Sequence, residues 1–150
     1  MRRPRRRGTR LLHPTDFSRA SARAEAEVAR LARGLDAEIV VLHVVPEVEM
    51  YGAGRVKIAD LMALRAARLA HAKREVRARV AALRSRGLRA RGVVRSGPAH
   101  RQIVATARGQ GCAMIVMATR GRGRVARWLL GSTAERVIRS APCPVLTVRA

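Results

Sequence analysis

The feature that most constrains this chain is a series of short apolar runs that alternate with longer amphipathic segments. The runs at 38–45 (EIVVLHVV) and 113–118 (AMIVMA) are almost continuously apolar. Runs without polar alternation are typical of strands buried on both faces of a parallel sheet. Shorter strands are predicted at 11–13, where Pro14 stops the run, and at 145–148.

A weaker run from Leu88 to Arg95 alternates in part with arginine, which predicts a strand at the edge of the sheet. Between the strands, apolar residues recur three or four positions apart, as in amphipathic helices. Ser18 and Gly87 mark two helix ends, as an N-cap and a C-terminal stop. Helices are therefore predicted at 19–35, 58–87, 98–110 and 132–140.

Strands that alternate with helices predict one α/β domain. We expect an open, five-stranded, mostly parallel sheet of the Rossmann-like kind, with helices on both faces. A single domain is expected because 150 residues, 48% of them hydrophobic, supply one ordinary core. In such sheets ligands bind beyond the carboxyl ends of the strands, where the strand order reverses. A site is therefore expected after Leu12, Val45 and Ala118.

The net charge of +22 comes almost entirely from arginine, because Lys57 and Lys73 are the two lysines among 32 basic residues. The arginines are spread over the solvent-facing helix positions, which indicates a general compositional preference rather than one selected patch. Residues 1–8 are basic and lack an acid, which predicts a disordered arm ahead of a domain at 9–150. The arm is either a solvated tail or a tether for nucleic acid or a membrane surface.

No stretch approaches the ~18 apolar residues of a membrane span, and residues 1–10 lack the apolar core of a secretory signal. We therefore expect a soluble cytoplasmic protein without membrane contact. Cys112 and Cys143 belong to no Cys-x-x-Cys pair, and the four histidines have no ligand spacing. Neither a disulfide framework nor a metal site is predicted.

The loop that follows the fourth strand is rich in glycine and arginine over residues 120–124. Glycines let backbone N–H groups approach an oxyanion, and arginines add charged donors, so the loop is a candidate phosphate cradle. Gly131 and Ser132 open the last helix, whose first N–H groups also suit a phosphate. Alternatively, Ser132 and Glu135 form a capping box that satisfies these donors, and both roles can hold together.

Two nucleotide motifs are weak or absent in this loop. The chain has no G-x-x-x-x-G-K-[ST] sequence, which excludes a P-loop. Residues 121–126 fit G-x-G-x-x-A, but no acid follows about 20 residues later to hold a ribose.

Asp16 follows the first strand and is expected at the same edge of the sheet. Two roles are open for its carboxylate. It either caps the next helix or forms an Asx turn beside Ser18, or it accepts hydrogen bonds from a ribose or a hydrated cation.

Nine residues separate Gly121 from the pair Gly131-Ser132. This spacing makes the sequence resemble the universal stress protein family over residues 9–149. Four further segments carry the same resemblance: PTDFS at 14–18, LHV at 42–44, GP at 97–98 and PCPVL at 142–146. The nucleotide-binding branch of that family carries G-x2-G-x9-G-[ST]. Ala118 stands where the first glycine of that pattern stands, and alanine resists the positive φ that glycine allows.

The resemblance implies an adenine nucleotide alpha hydrolase-like fold that binds ATP, with or without Mg²⁺, across the first and fourth strands. It implies that Thr15 and Asp16 meet the base and ribose and that the backbone of Val44 faces the adenine. The remaining implied contacts line the ribose, the phosphate turn and the phosphates: Met117, Ala118, Gly121, Arg122, Gly131, Ser132 and Thr133. It also implies a homodimer through the last strand.

Three functions are compatible with these observations. The first is an ATP-binding stress-response or signalling module with little or no hydrolysis. It is favoured because Glu135 is the only acid after Glu75, and the capping box would occupy it. The second is a nucleotide-free family dimer that acts as a scaffold or binds polyanions, although three aromatic residues offer little stacking surface for single strands. The third is a nucleotide-hydrolysing enzyme.

Overall fold

A computed structural model describes residues 8–47, 57–120 and 130–149. Strands and helices alternate throughout these segments. Their order is β1 (Arg10–Pro14), α1 (Arg19–Leu35), β2 (Glu38–Val45), α2 (Ile58–Ser85), β3 (Arg89–Ser96), α3 (Ala99–Gln110), β4 (Met114–Ala118), α4 (Ser132–Ser140) and β5 (Val145–Val148). All the predicted elements are present, and their ends agree with the prediction or differ from it by at most two residues. The arm, apart from Gly8, lies outside the described residues.

The five strands form one parallel sheet with the order β3-β2-β1-β4-β5. The predicted edge position of β3 is confirmed, and β5 forms the opposite edge. Successive strands are added on one side of β1 up to β3, and then β4 and β5 are added on its other side. The strand order therefore reverses between β1 and β4, which places the expected ligand crevice at their carboxyl ends.

Pro14 is the last residue of β1 rather than the residue after it. Its missing N–H removes no bond that a strand end needs, so the proline is accommodated within the strand. The next N–H, that of Thr15, donates to the carbonyl oxygen of Leu42 at 2.8 Å and continues the pairing with β2.

The core has two layers, one on each face of the sheet. Residues of α1 and α2 pack with Ile39 and Val41 of β2, whereas residues of α3 and α4 pack with Val40 and Leu42 of the same strand. Because all four β2 residues are fully buried, the prediction of a strand covered on both faces is confirmed. No helix in the described part of the chain is long and apolar enough to cross a membrane.

Candidate functional site

A cleft of about 310 Å³ lies at the carboxyl ends of β1, β2 and β4. Its volume falls within the range of small-molecule sites, and its position matches the reversal of strand order. It is lined by Pro14, Thr15, Asp16, Ser21, Leu42, His43, Val44, Ala99, Ile103, Met117, Ala118, Thr119, Arg120, Gly131, Ser132, Thr133 and Ala134.

The turn between β1 and α1 forms one wall of the cleft, and its own side chains hold it in shape. The Thr15 hydroxyl accepts a hydrogen bond from the Phe17 N–H at 3.1 Å, and Asp16 Oδ1 accepts one from the Ser18 N–H at 3.0 Å. The predicted N-cap is confirmed, because Ser18 Oγ accepts from the Ser21 N–H at 3.2 Å. Asp16 therefore forms the Asx turn, and it also lines the cleft.

His43 and Phe17 support this wall from β2. The Nδ1 atom of His43 lies 2.7 Å from the carbonyl oxygen of Thr15, and since a carbonyl only accepts, Nδ1 carries the proton. The His43 ring is stacked on Phe17, with centroids 4.3 Å apart and planes 19° from parallel. Phe17 has a positive φ of 64°, which turns its ring back towards β2.

The opposite wall is the start of α4, which lies against the residues that follow β4. The Gly131 N–H donates to the Thr119 carbonyl oxygen at 2.8 Å. A Cβ atom added to Gly131 would lie 3.0 Å from that oxygen and 3.5 Å from the Cα of Arg120. A side chain at this position would therefore require the Thr119 backbone to move by a few tenths of an ångström.

The predicted capping box at the start of α4 is wrong. Gly131 is the N-cap and Ser132 is the first helical residue, so the serine is one position too late to cap. Glu135 instead pairs with Arg139 one turn further on, with 2.8 Å between Oε1 and Nη2. The first N–H groups of a helix have no partner within it, and no side chain of the N-cap residue supplies one here.

The electrostatics of the cleft favour an anion at this wall. Ala99 at the start of α3 and residues 131–134 at the start of α4 both line the cleft, which directs two positive helix ends towards it. Arg120 also lines the cleft. Asp16 is the single acid among the described lining residues.

The structure brings together all the predicted binding residues that it describes. Thr15, Asp16, Val44, Met117, Ala118, Gly131, Ser132 and Thr133 all line the cleft. Gly121 and Arg122 lie outside the described residues. His43 and Ile103 line the cleft but were not predicted to do so, because only the placement of β2 and α3 beside β1 brings them there.

Ala118 does not adopt the conformation that would make it unfavourable at its position in the glycine motif. It is the last residue of β4, and it is absent from the described non-glycine residues with positive φ, which are Phe17 and Asp36. The first glycine of the motif is therefore not needed here for backbone freedom.

Two buried titratable side chains, His13 and Cys112, lie outside the cleft. His13 on β1 is fully buried and its Nδ1 lies 3.1 Å from the Val116 carbonyl oxygen, while Nε2 has no partner. Burial lowers the pKa of His13 to about 4, so its ring is neutral. Burial also raises the pKa of the Cys112 thiol to about 11, which leaves it unreactive. No group of three or more potential metal ligands occurs among the described residues.

Fold and cleft together define the class: a Rossmann-like α/β protein with a cleft where its strand order reverses. Residues 9–149 match the family model of the universal stress protein family. The chain belongs to the universal stress protein family.

Individual relatives agree with this assignment. The chain is 31% identical over 144 residues to Universal stress protein MJ0531 of Methanocaldococcus jannaschii, covering 93% of this chain and 81% of that one. The solved structure of hypothetical protein MJ0577 is similar with a TM-score of 0.83 and 27% identity, covering 95% and 96% of the two chains. UspA from Lactobacillus plantarum gives a TM-score of 0.81 and 26% identity, covering 96% and 99%.

Two further universal stress protein structures share the fold with a TM-score of 0.64, at 23% and 21% identity. The first, from Archaeoglobus fulgidus, is a complex with dAMP, and the second is a complex with cAMP.

Proposed function

We propose that this protein is an ATP-binding stress-response or signalling module that hydrolyses the nucleotide slowly or not at all. The observation that carries the proposal is the approach of α4 to β4 at Gly131, where a Cβ atom would be 3.0 Å from the Thr119 oxygen. Residues 131–134 at the start of α4 line the cleft, and no side chain caps the first N–H groups of this helix. Such a helix start suits a phosphate through both its free donors and its dipole.

The cleft residues suit the different parts of an adenine nucleotide. Thr15 and Asp16 stand on the polar wall, where they suit the base and ribose, and Val44 presents backbone for the adenine. Met117 and Ala118 also line the cleft and suit the ribose, and Gly131, Ser132 and Thr133 line it at the start of α4, where they suit the phosphates. Gly121 and Arg122 are proposed as further contacts from the family motif alone.

Adenine nucleotides in two relatives support the choice of ligand class, since those structures are complexes with dAMP and cAMP. Any Mg²⁺ is expected to arrive with the ATP. The described residues offer no cluster of three ligands for it, and Mg²⁺ is commonly held by substrate phosphates and water.

Slow hydrolysis is proposed because the described acids are poorly placed to act as a general base. Asp16 accepts from the Ser18 N–H on the wall opposite α4, and Glu135 is exposed and paired with Arg139. A base must lie within hydrogen-bond reach of the water that it activates. The Ser18 N–H already engages Asp16, and Arg139 already engages Glu135, which supports slow hydrolysis.

The remaining partners are also proposals. We propose a cytoplasmic homodimer that forms through β5, the half-buried edge strand at Val145–Val148. We propose that the basic arm adds non-specific contact with nucleic acid, because it carries five arginines within residues 1–8.

Isothermal titration of the purified protein with ATP, with and without Mg²⁺, tests the ligand. Saturable binding is expected, together with a turnover far below the ~10 per second of a typical enzyme. The absence of heat with millimolar ATP would remove ATP as the ligand. Binding of AMP in its place would point to a site for a monophosphate. Turnover near the enzyme range would establish a hydrolase instead.

A further inference from the structure

The α2 helix is longer than the sheet on which it packs. A Cβ atom on Gly92 of β3 would lie 2.4 Å from Val76 of α2, so these two residues face each other where the helix packs on the sheet. From Gly92 to the end of β3 at Ser96 is roughly 13 Å, whereas from Val76 to the start of α2 at Ile58 is roughly 27 Å. The first turns of α2 therefore extend about 14 Å past the end of β3.

We call residues 58–71 of α2 the arm helix, which is a different segment from the basic arm at residues 1–8. The buried residues of α2 begin at Ala72, so none of the arm helix is buried. Yet the arm helix carries large apolar side chains, and Ile58 and Met62 are 70% and 68% exposed. Apolar side chains are therefore exposed at positions where a solvated helix would be polar.

These side chains continue the face that packs on the sheet. At 100° per residue, Ile58, Leu61, Met62 and Leu69 fall on the same side of α2 as the buried residues Ala72, Val76, Val80 and Leu83. The arm helix thus presents an apolar stripe over the carboxyl edge of the sheet.

The flanking charges are almost all positive. Arg65, Arg68 and Lys73 lie beside or within the stripe, and Lys57 precedes it. Asp60 is the single acid of the arm helix. Because Arg65 falls within the stripe, an occupant must supply acidic residues opposite it as well as at the margins, together with apolar residues opposite Ile58 and Met62.

We propose that the arm helix docks an acidic amphipathic helix of a partner protein. A second copy of the arm helix is disfavoured because it would bring Arg65 and Arg68 against like charges. A flat membrane is disfavoured by shape. The stripe continues into the face of α2 that packs on the sheet, so the sheet would block a flat bilayer from lying along it. A helix about 10 Å wide is narrow enough to contact only the part of α2 that extends past the sheet.

The probe is a synthetic helical peptide of three heptads, with leucine at positions a and d and glutamate at the flanking positions. Fluorescence anisotropy with the labelled peptide measures its affinity for the full chain. A peptide with lysine in place of each glutamate, and a scrambled glutamate peptide, are the matched controls. We expect saturable binding of the glutamate peptide alone.

The variant Ile58→Ser with Met62→Ser removes apolar surface without changing charge, so general attraction to a basic protein is unaffected. It should weaken peptide binding by at least about tenfold. Both side chains are mostly exposed, so the fold is not at risk. Leu35→Ser, at an exposed apolar residue at the end of α1, is the matched control and should leave binding unchanged.

Four outcomes would overturn the proposal. Equal binding of the lysine peptide would remove the charge argument, and an unchanged affinity in the double variant would remove the arm helix as the site. Loss of self-association in the double variant, measured by sedimentation, would make a second copy the occupant. Binding to phosphatidylserine vesicles that disappears in the double variant would make it a membrane.

Discussion

At the scale of single residues, Gly131 is the position where the sequence motif and the packing coincide. Its φ of −64° is ordinary, so glycine is needed for its lack of a side chain and not for backbone freedom. Gly131→Ala places a Cβ atom 3.0 Å from the Thr119 oxygen and should push α4 away from β4. We expect ATP affinity to fall at least about tenfold, or roughly 1.4 kcal/mol, by calorimetry.

A matched glycine tests whether this effect belongs to the site. Gly34 lies within α1, and a Cβ atom there would meet nothing within 4 Å. Gly34→Ala should leave ATP binding unchanged and raise the free energy of unfolding by about 0.5–1 kcal/mol, because alanine is the better helix former. Equal ATP affinity in the two variants would contradict the role given to Gly131.

His13 links stability to pH. Its pKa falls from 6.5 in the unfolded chain to about 4 in the folded one because the ring is fully buried. Between these values the unfolded chain binds more protons, so the contribution of His13 is complete above pH 6.5 and is lost as the pH falls towards 4. The full loss amounts to about 3 kcal/mol.

The variant His13→Asn keeps an N–H donor but does not titrate in this range. Between pH 7 and about 4.5, urea unfolding should show that the original protein loses about 2 kcal/mol more than the variant. Burial raises the pKa of Glu25, which acts in the opposite direction, but Glu25 is present in both proteins. If the variant does not fold, an NMR titration of the His13 ring in the original protein decides, and a pKa near 6.5 would refute the argument.

At the scale of elements, most of the architecture could be predicted because each strand carries its own pattern. Residues 38–45 of β2 were identified in full, since a run buried on both faces needs no information from elsewhere. The predicted capping box was wrong because Gly131, and not Ser132, is the N-cap of α4. This one-residue difference depends on the contact between Gly131 and Thr119, which the local sequence does not reveal. His43 was missed as a cleft residue for a similar reason, because its contact with Thr15 joins two strands.

The edge strand β5 allows a test of the proposed dimer. The N–H groups of Ile115 and Thr119 donate to the carbonyl oxygens of Pro144 and Val148. Bonding residues alternate along a parallel strand, so Thr147 between them directs its N–H to the open edge. Thr147→Pro therefore removes a donor from that edge and none from the pairing with β4.

We expect Thr147→Pro to be a monomer by sedimentation, with a free energy of unfolding close to that of the original protein measured at monomeric concentrations. Thr147→Val keeps the N–H and should remain a dimer. If the proline variant still dimerises, the pairing surface lies elsewhere than on the edge of β5.

At the scale of the whole molecule, the net charge of +22 is a surface property that the fold does not neutralise. Arginine forms ion pairs with Glu25, Glu27, Asp36, Glu38 and Glu135 in the described part of the chain. With ten acids against 32 basic residues, most arginines have no acidic counterpart in the chain. The resulting field attracts polyanions over the whole surface.

Deletion of residues 2–7 separates the basic arm from the cleft. It removes five arginines and no described element, so we expect ATP affinity to be unchanged by calorimetry. Affinity for duplex DNA should fall, because fewer DNA phosphates are neutralised. The slope of log affinity against log salt should become shallower by about 0.9 for each phosphate that the shortened protein leaves unneutralised.

The Gly131→Ala variant supplies the reverse case in the same salt series, because it changes the cleft without changing charge. It should bind ATP at least about tenfold more weakly and keep both the affinity for DNA and its salt slope, since a neutral methyl group barely alters the field of a protein with 32 basic residues. The two variants thus give opposite results if the cleft holds the nucleotide and the arm contacts nucleic acid. Loss of ATP binding on deletion of the arm, or loss of DNA binding in a folded Gly131→Ala protein, would mean that both ligands share one surface.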